Sequence, residues 1–99
     1  MKPLTLRYGY QAEEDMIGIW SYVAQQDPMA ADRLLQELGT RLKLLSGYPL
    51  AGPIREDMPD GIRHLVIGEY LAFYRVKRDA VEIIRVLHGR RNITAKDMR

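Results

Sequence analysis

Three features of this sequence together predict an α+β fold, with a helical hairpin packed on a small, mainly antiparallel sheet. Residues 31–45 carry a leucine stripe at helical spacing, a Pro/Gly/Asp-rich stretch follows, and from Ile62 the apolar pattern becomes strand-like. A sheet face and a helix stripe each need a cover, and here each supplies the other's. The predicted order is strand, helix, helix, strand, strand, strand, forming one domain over residues 1–99.

Leu4 to Tyr8 alternates briefly between apolar and polar residues and reads as the first strand. In QAEEDMIGIWSYVAQQ, Ala12, Met16, Ile19 and Val23 recur at helical spacing, and Ile17, Trp20 and Ala24 widen the stripe. Glu13, Glu14 and Asp15 lie in the first turns, where negative charge suits the helix dipole. This helix is expected to end near Gln26. Asp27 can then cap a second helix, with Pro28 at a first position that needs no N–H. Ala31, Leu35, Leu38, Leu42 and Leu45 give that helix a stripe that reads as core, and Gly47 and Pro49 end it. So short a connection predicts an antiparallel pair.

Residues 48–61, YPLAGPIREDMPDG, read as a surface loop. IRHLVI, YLAFYRV and VEIIRVLH follow, rich in β-branched and aromatic residues. Gly68-Glu69 fits a two-residue type II′ turn, and residues 77–80 form the next hairpin loop, so the three strands make an antiparallel meander. The end, GRRNITAKDMR, is polar and basic and allows a short final helix.

Composition narrows the function classes. The 99 residues contain no cysteine, which excludes disulfides and thiolate metal sites, and His64 and His88 have no metal-ligand spacing. No metal or cofactor is expected. The N-terminal stretch lacks an apolar signal core, and no apolar run approaches the ~20 residues that cross a bilayer. A cytoplasmic protein without membrane association is the expectation. Net charge is only +2, yet residues 1–60 hold six Lys/Arg against nine Asp/Glu, and residues 61–99 hold nine against four. A basic C-terminal part attracts nucleic acid or an acidic protein segment, or is simply a solvated surface.

The element order and several fragments resemble the RelE/ParE superfamily along essentially the whole chain. The fragments are AEEDMIGIWSYV in the first helix, Tyr48-Pro49 with Gly52-Pro53 in the loop, Gly61-Ile62-Arg63, Phe73-Tyr74-Arg75-Val76, and Glu82 to Gly89. The resemblance implies the toxin of a type II toxin–antitoxin pair, neutralised by a cognate antitoxin, ParD-like or related. RelE-like members cut mRNA in the ribosomal A site, whereas ParE-like members poison DNA gyrase and do no catalysis of their own.

RNA cleavage by 2′-OH attack needs a base, an acid and cations for the transition-state charge. RelE-like ribonucleases commonly place an arginine before the aromatic pair of the third strand; here Leu71 matches that position. Gly89 follows His88 where one ribonuclease subgroup has a tyrosine, and no tyrosine occurs after Tyr74. These departures favour the ParE pattern, with no catalytic residues and with DNA gyrase as target. The residues expected to meet that target are Arg63, His88, Arg90, Arg91 and Lys96. In the alternative, a ribosome-dependent mRNA endonuclease, Arg63, His88, Arg90 and Arg91 would be catalytic. A folded but harmless toxin is a third reading.

Several of these residues also admit purely structural roles. His88 can simply end a strand, hydrogen-bonded locally. Arg85 can pair with a carboxylate, one in the first helix for example, or face a target. Strand alternation puts Arg85 and Leu87 on one face and His88, Glu82 and Ile84 on the other, unless a bulge intervenes. Arg63 either reads a phosphate or holds the loop of Asp57 and Asp60. Trp20, Tyr22 and Tyr48 are expected to be packing residues. Direct nucleic-acid binding is left open.

Overall fold

The structure, a computed structural model, describes residues 2–99. Strand β1 (Thr5–Tyr8) leads through Gly9 into helix α1 (Tyr10–Ala24). Helix α2 (Pro28–Lys43) runs into a 3-10 turn, Leu44–Ser46. Strands β2 (Arg63–Ile67), β3 (Tyr70–Val76) and β4 (Ala80–His88) follow, and a 3-10 helix, Ala95–Met98, comes last. The expected order and the antiparallel meander are both present.

The predicted boundaries shift where caps and turns compete with the periodic pattern. Helix α1 stops at Ala24 rather than near Gln26, because Pro28 drives Asp27 into an extended conformation (φ −151°). There the Asp27 carboxylate accepts the Ala30 N–H at 3.1 Å and starts α2. Leu4 lies outside β1 because its N–H and C=O are both taken by Ser46. Ile62 lies outside β2: its N–H donates to the Pro59 carbonyl, closing a turn whose central residues, Asp60 and Gly61, both have positive φ (51° and 69°). Asp-Gly is the pair that tolerates this turn best. Gly68, at φ 58°, makes the β2–β3 hairpin turn, and Glu69 keeps a negative φ, as a II′ turn requires.

The sheet order is β1-β4-β3-β2, with β1 parallel to β4 and the other pairs antiparallel. Both helices cover one face. Ala12 of α1 and Leu38 and Leu42 of α2 pack there against Tyr74, Ile83 and Val86. Fully burying each such leucine contributes roughly 1.5–3 kcal/mol. Leu45 is buried as predicted, while Leu35 is only partly so. The opposite face has a smaller core of its own, Ile62, Phe73 and Leu87, closed by Met58 from the loop and Met98 from the C-terminal 3-10 helix. The loop at 48–61 is thus half of a second cover, because Met58 plugs the face that the helices leave open.

Candidate functional site

Strand β4 does not alternate evenly. Phe73 pairs with Arg85 while Tyr74 pairs with Ile83, so Ile84 is an extra residue in a β-bulge. The expected division of its side chains is corrected by this bulge. Ile84 joins Leu87 in the smaller core, and Glu82 lines a shallow pocket with Ile84 and Met98. Val81, Ile83 and Val86 pack beneath the helices, and His88 pairs with Tyr70 at the top of the sheet.

Just past the bulge, Asp15 of α1 accepts three hydrogen bonds. They come from Arg85 Nε (2.7 Å), Arg85 Nη2 (2.9 Å) and the Val86 N–H (3.0 Å). Arg85 Nη1 donates to the Asp97 carbonyl at 2.8 Å. The hydrogen bonds to Asp15 hold the guanidinium pKa above its ordinary value against the cost of burial, and the charges of Asp15, Asp97 and Glu14 add to the rise. Of the two readings of Arg85, the pair with a first-helix carboxylate is the one observed.

Arg63 is also committed internally. Its Nη1 donates to the Gly52 carbonyl at 2.8 Å, so it holds the loop through backbone and not through Asp57 or Asp60. Asp57 pairs instead with Arg55 at 2.9 Å, which keeps that carboxyl below the usual carboxylate range. The Tyr74 hydroxyl completes the clamp, accepting the Gly52 N–H at 2.8 Å and donating to the Pro49 carbonyl at 2.9 Å. Burial raises the Tyr74 pKa, opposed by the Gly52 N–H and Arg63.

Beside the clamp, the His64 ring sits half-buried with its Nδ1 enclosed and unbonded. Burial first, and then the Arg55 charge, lower its pKa from 6.5, with Asp57 partly opposing. The unfolded chain therefore binds more protons at His64 just below pH 6.5. This stability contribution is whole above pH 6.5 and is lost as the pH falls through the lower folded value. Urea midpoints measured between pH 7.5 and 5 should decline more steeply for the wild type than for His64→Gln; parallel declines would rule the linkage out.

The C-terminal segment gathers most of the remaining candidates. The Arg90 N–H donates to His88 Nδ1 at 3.1 Å, and the Arg91 N–H to the His88 carbonyl at 3.0 Å. His88 Nε2 lies 3.8 Å from a Glu69 carboxylate oxygen, and its ring meets Tyr70 edge-on with centroids 5.3 Å apart. Burial, then Glu69 and Tyr22, raise the Tyr70 pKa, so its phenol keeps its proton. A cleft of about 520 Å³ runs from His88 and Tyr70 across Gly18 to Tyr22 and Glu14 on α1. Arg90, Arg91 and Lys96 are exposed, as expected, although Arg91 also bonds to Asp97 at 2.7 Å. Arg63 does not join this group: its β3 partner is Tyr74, four residues along from Tyr70, the partner of His88. At ~3.4 Å per residue the two ends are about 14 Å apart.

A second concavity lies on the other side of α1. Met16, Ile17 and Trp20 of α1, Tyr8 of β1 and Leu35 of α2 line an apolar groove of about 460 Å³, with Glu13 at its rim. Ile17 is 66% exposed there. The Trp20 indole N–H bonds to Asp32 at 2.8 Å, so Trp20 is a packing residue that ties the two helices. Tyr22 and Tyr48, expected to pack, are instead 75% and 71% exposed. For Tyr22 the sequence held a usable signal, since it falls outside the Ala12–Met16–Ile19–Val23 stripe. Glu69 and Tyr70 reach His88 only through the pairing of β3 with β4, which no local pattern encodes. Among the described residues, no cluster of His, Asp or Glu is able to hold a metal ion, and no helix is long and apolar enough to cross a membrane.

Comparison with known proteins gives this architecture a class. The sequence model described as the ParE toxin of the type II toxin–antitoxin system parDE matches residues 6–93. A Sinorhizobium fredii protein named as a toxin, Y4kP, is 34% identical over 86 residues, covering 85% of this chain and 86% of its own. Toxin ParE3 of Caulobacter vibrioides is 35% identical over 52 residues, 52% of each chain. Among solved structures, a chain of the chromosomal ParDE system from P. aeruginosa has a TM-score of 0.76 at 24% identity, covering 89% of this chain and 98% of that one. A chain of the RelBE2 toxin–antitoxin complex from Mycobacterium tuberculosis has a TM-score of 0.59, also at 24% identity, covering 87% and 98%. The two structures establish the shared fold, two helices on a four-stranded mixed sheet. The class is therefore that of type II toxin–antitoxin toxins. Within it, the chain belongs to the ParE toxin family.

Proposed function

We propose that this toxin acts in the cytoplasm by binding DNA gyrase through its basic C-terminal segment, without catalysis of its own, and that a ParD-like antitoxin silences it. One contrast carries this reading. Two of the three half-buried strand arginines, Arg63 and Arg85, are tied to the protein's own loop and helix, while Arg90, Arg91 and Lys96 are exposed. Cations held internally cannot converge on an RNA phosphate, whereas exposed ones on a fixed turn suit contact with a large target or its DNA. The apolar groove between α1, α2 and β1 suits a helical antitoxin segment that lays its apolar face there.

Arg90→Ala combined with Arg91→Ala is expected to abolish growth arrest while antitoxin binding persists. Arg91 is half exposed and Asp97 keeps the Thr94 N–H and the nearby Arg85 without it, so the pair contributes about 1 kcal/mol to stability and the double variant should remain folded. Supercoiling and DNA-cleavage assays with the wild type should show trapped cleavage that antitoxin relieves. Undiminished toxicity of the double variant would discard the surface, and full gyrase activity at excess toxin would discard the target.

One observation favours the second reading, an mRNA endonuclease. His88, Glu69, Tyr70 and the Arg90-Arg91 pair lie together at one end of the sheet, a set that includes both proton carriers and cations. That reading requires His88→Ala to lose toxicity and translated mRNAs to acquire codon-phased cuts.

A further inference from the structure

The cations assigned to the target lie on a stretch with little regular structure, residues 89–99, whose only helix is four residues long. Such a stretch would be expected to lose much conformational entropy on docking. Here an alternating chain of charges fixes it beforehand. Asp15 on α1 holds Arg85, which reaches the Asp97 carbonyl with Nη1 and stands 4.0 Å from its carboxylate. The same carboxylate oxygen accepts Arg91 Nη2 at 2.7 Å, and the other oxygen accepts the Thr94 N–H at 2.8 Å in a capping box. Asp15, Arg85 and Asp97 are all largely withdrawn from water, with side chains 13%, 12% and 15% exposed. Met98, next to Asp97, is sunk in the smaller core. At the other end of the stretch the imidazole of His88 receives the Arg90 N–H.

We propose that Arg85 and Asp97 are positioning residues for target binding: they act through Arg90, Arg91 and Lys96 by holding this segment in the one conformation that docks. The proposal rests on the reading that the segment meets gyrase. Asp97 is its centre, since it joins an interior cation, Arg85, to an exposed one, Arg91. The link starts beside the bulge in β4, where Arg85 follows the extra residue Ile84 and reaches both α1 and the C-terminal 3-10 helix.

The test uses full-length toxin freed from its antitoxin, in three forms: wild type, Asp97→Asn and Asp97→Glu. In Asp97→Asn, amide exchange across residues 90–98 should quicken about tenfold while the helices and sheet keep their protection. The toxin concentration giving half-maximal gyrase cleavage should rise roughly tenfold, with the plateau and the antitoxin affinity unchanged. Asp97→Glu should recover part of that loss. Retained protection of the helices and sheet separates loss of pre-ordering from loss of folded protein, because a smaller folded fraction would raise the half-maximal concentration in the same way. An Arg90→Ala/Lys96→Ala variant is measured alongside. If that variant is weakened and Asp97→Asn is not, or if exchange at 90–98 is unaltered in Asp97→Asn, the positioning role is overturned. If neither variant is weakened, the target surface itself is wrong and the proposal falls with it.

Discussion

Gly52→Ala should leave little folded protein. A Cβ at that position would stand 2.1 Å from the His64 carbonyl oxygen, 2.8 Å from its carbon and 2.9 Å from the Tyr74 hydroxyl. Two of these three atoms are backbone of β2, which cannot retreat without leaving β3. The loop would have to withdraw instead. That movement takes with it the Gly52 N–H bond to Tyr74 and the Gly52 carbonyl bond to Arg63. Overpacking costs about 1–3 kcal/mol, and each buried hydrogen bond lost leaves a partner unsatisfied at about 1–3 kcal/mol more. The sum, roughly 4 kcal/mol or above, is a large share of the 5–15 kcal/mol that holds a typical domain together. Urea denaturation of the toxin alone measures it; a loss under about 1 kcal/mol would mean that the loop is not clamped as described.

The second large effect is expected from Asp15→Ala. That change strands the Arg85 guanidinium, whose side chain is 12% exposed, and also removes the acceptor of the Val86 N–H beside the bulge. Removing one partner of a fully buried ion pair costs about 3–5 kcal/mol, and the water still reaching this pair brings the figure to roughly 2–3 kcal/mol. For a domain of this size that corresponds to a fall in Tm of about 10–20 °C. Asp15→Asn keeps an acceptor oxygen for Val86 and should lose about half as much. Equal losses in the two variants would show that charge at this position is immaterial, and no loss in either would remove Asp15 from the account of the fold.

The secondary structure was legible because its signals are local. The leucine stripe, the Asp27-Pro28 start and the Gly68-Glu69 turn each act through neighbouring residues, and each predicted element is present. The resemblance to the RelE/ParE superfamily was equally legible, since its fragments lie in order along the chain. The bulge was not. Nothing in EIIRVLH marks which residue is extra, because the choice is made by β3 across the ladder and by Asp15 seventy residues away. The side chains of β4 were therefore sorted wrongly for Glu82 and Ile84. Arg63 shows the same limit from the other side. The sequence left a phosphate or the loop of Asp57 and Asp60 as its partner, but the loop's backbone at Gly52 presents a carbonyl instead.

The parallel pairing of β1 with β4 has a temporal consequence. Residues 5–8 leave the ribosome well before their ladder partners, residues 80–83. The pair can close only after both helices and most of the meander have been made. The Gly9 N–H that introduces α1 likewise waits for the carbonyl of Ile83. Contacts so distant in sequence slow folding and defer it until the later strand is made. A chain that stalls before Ala80 lacks the partner of its first strand and, with it, Arg85 and the whole basic segment. Each copy thus reaches its native form only once translation has passed β4.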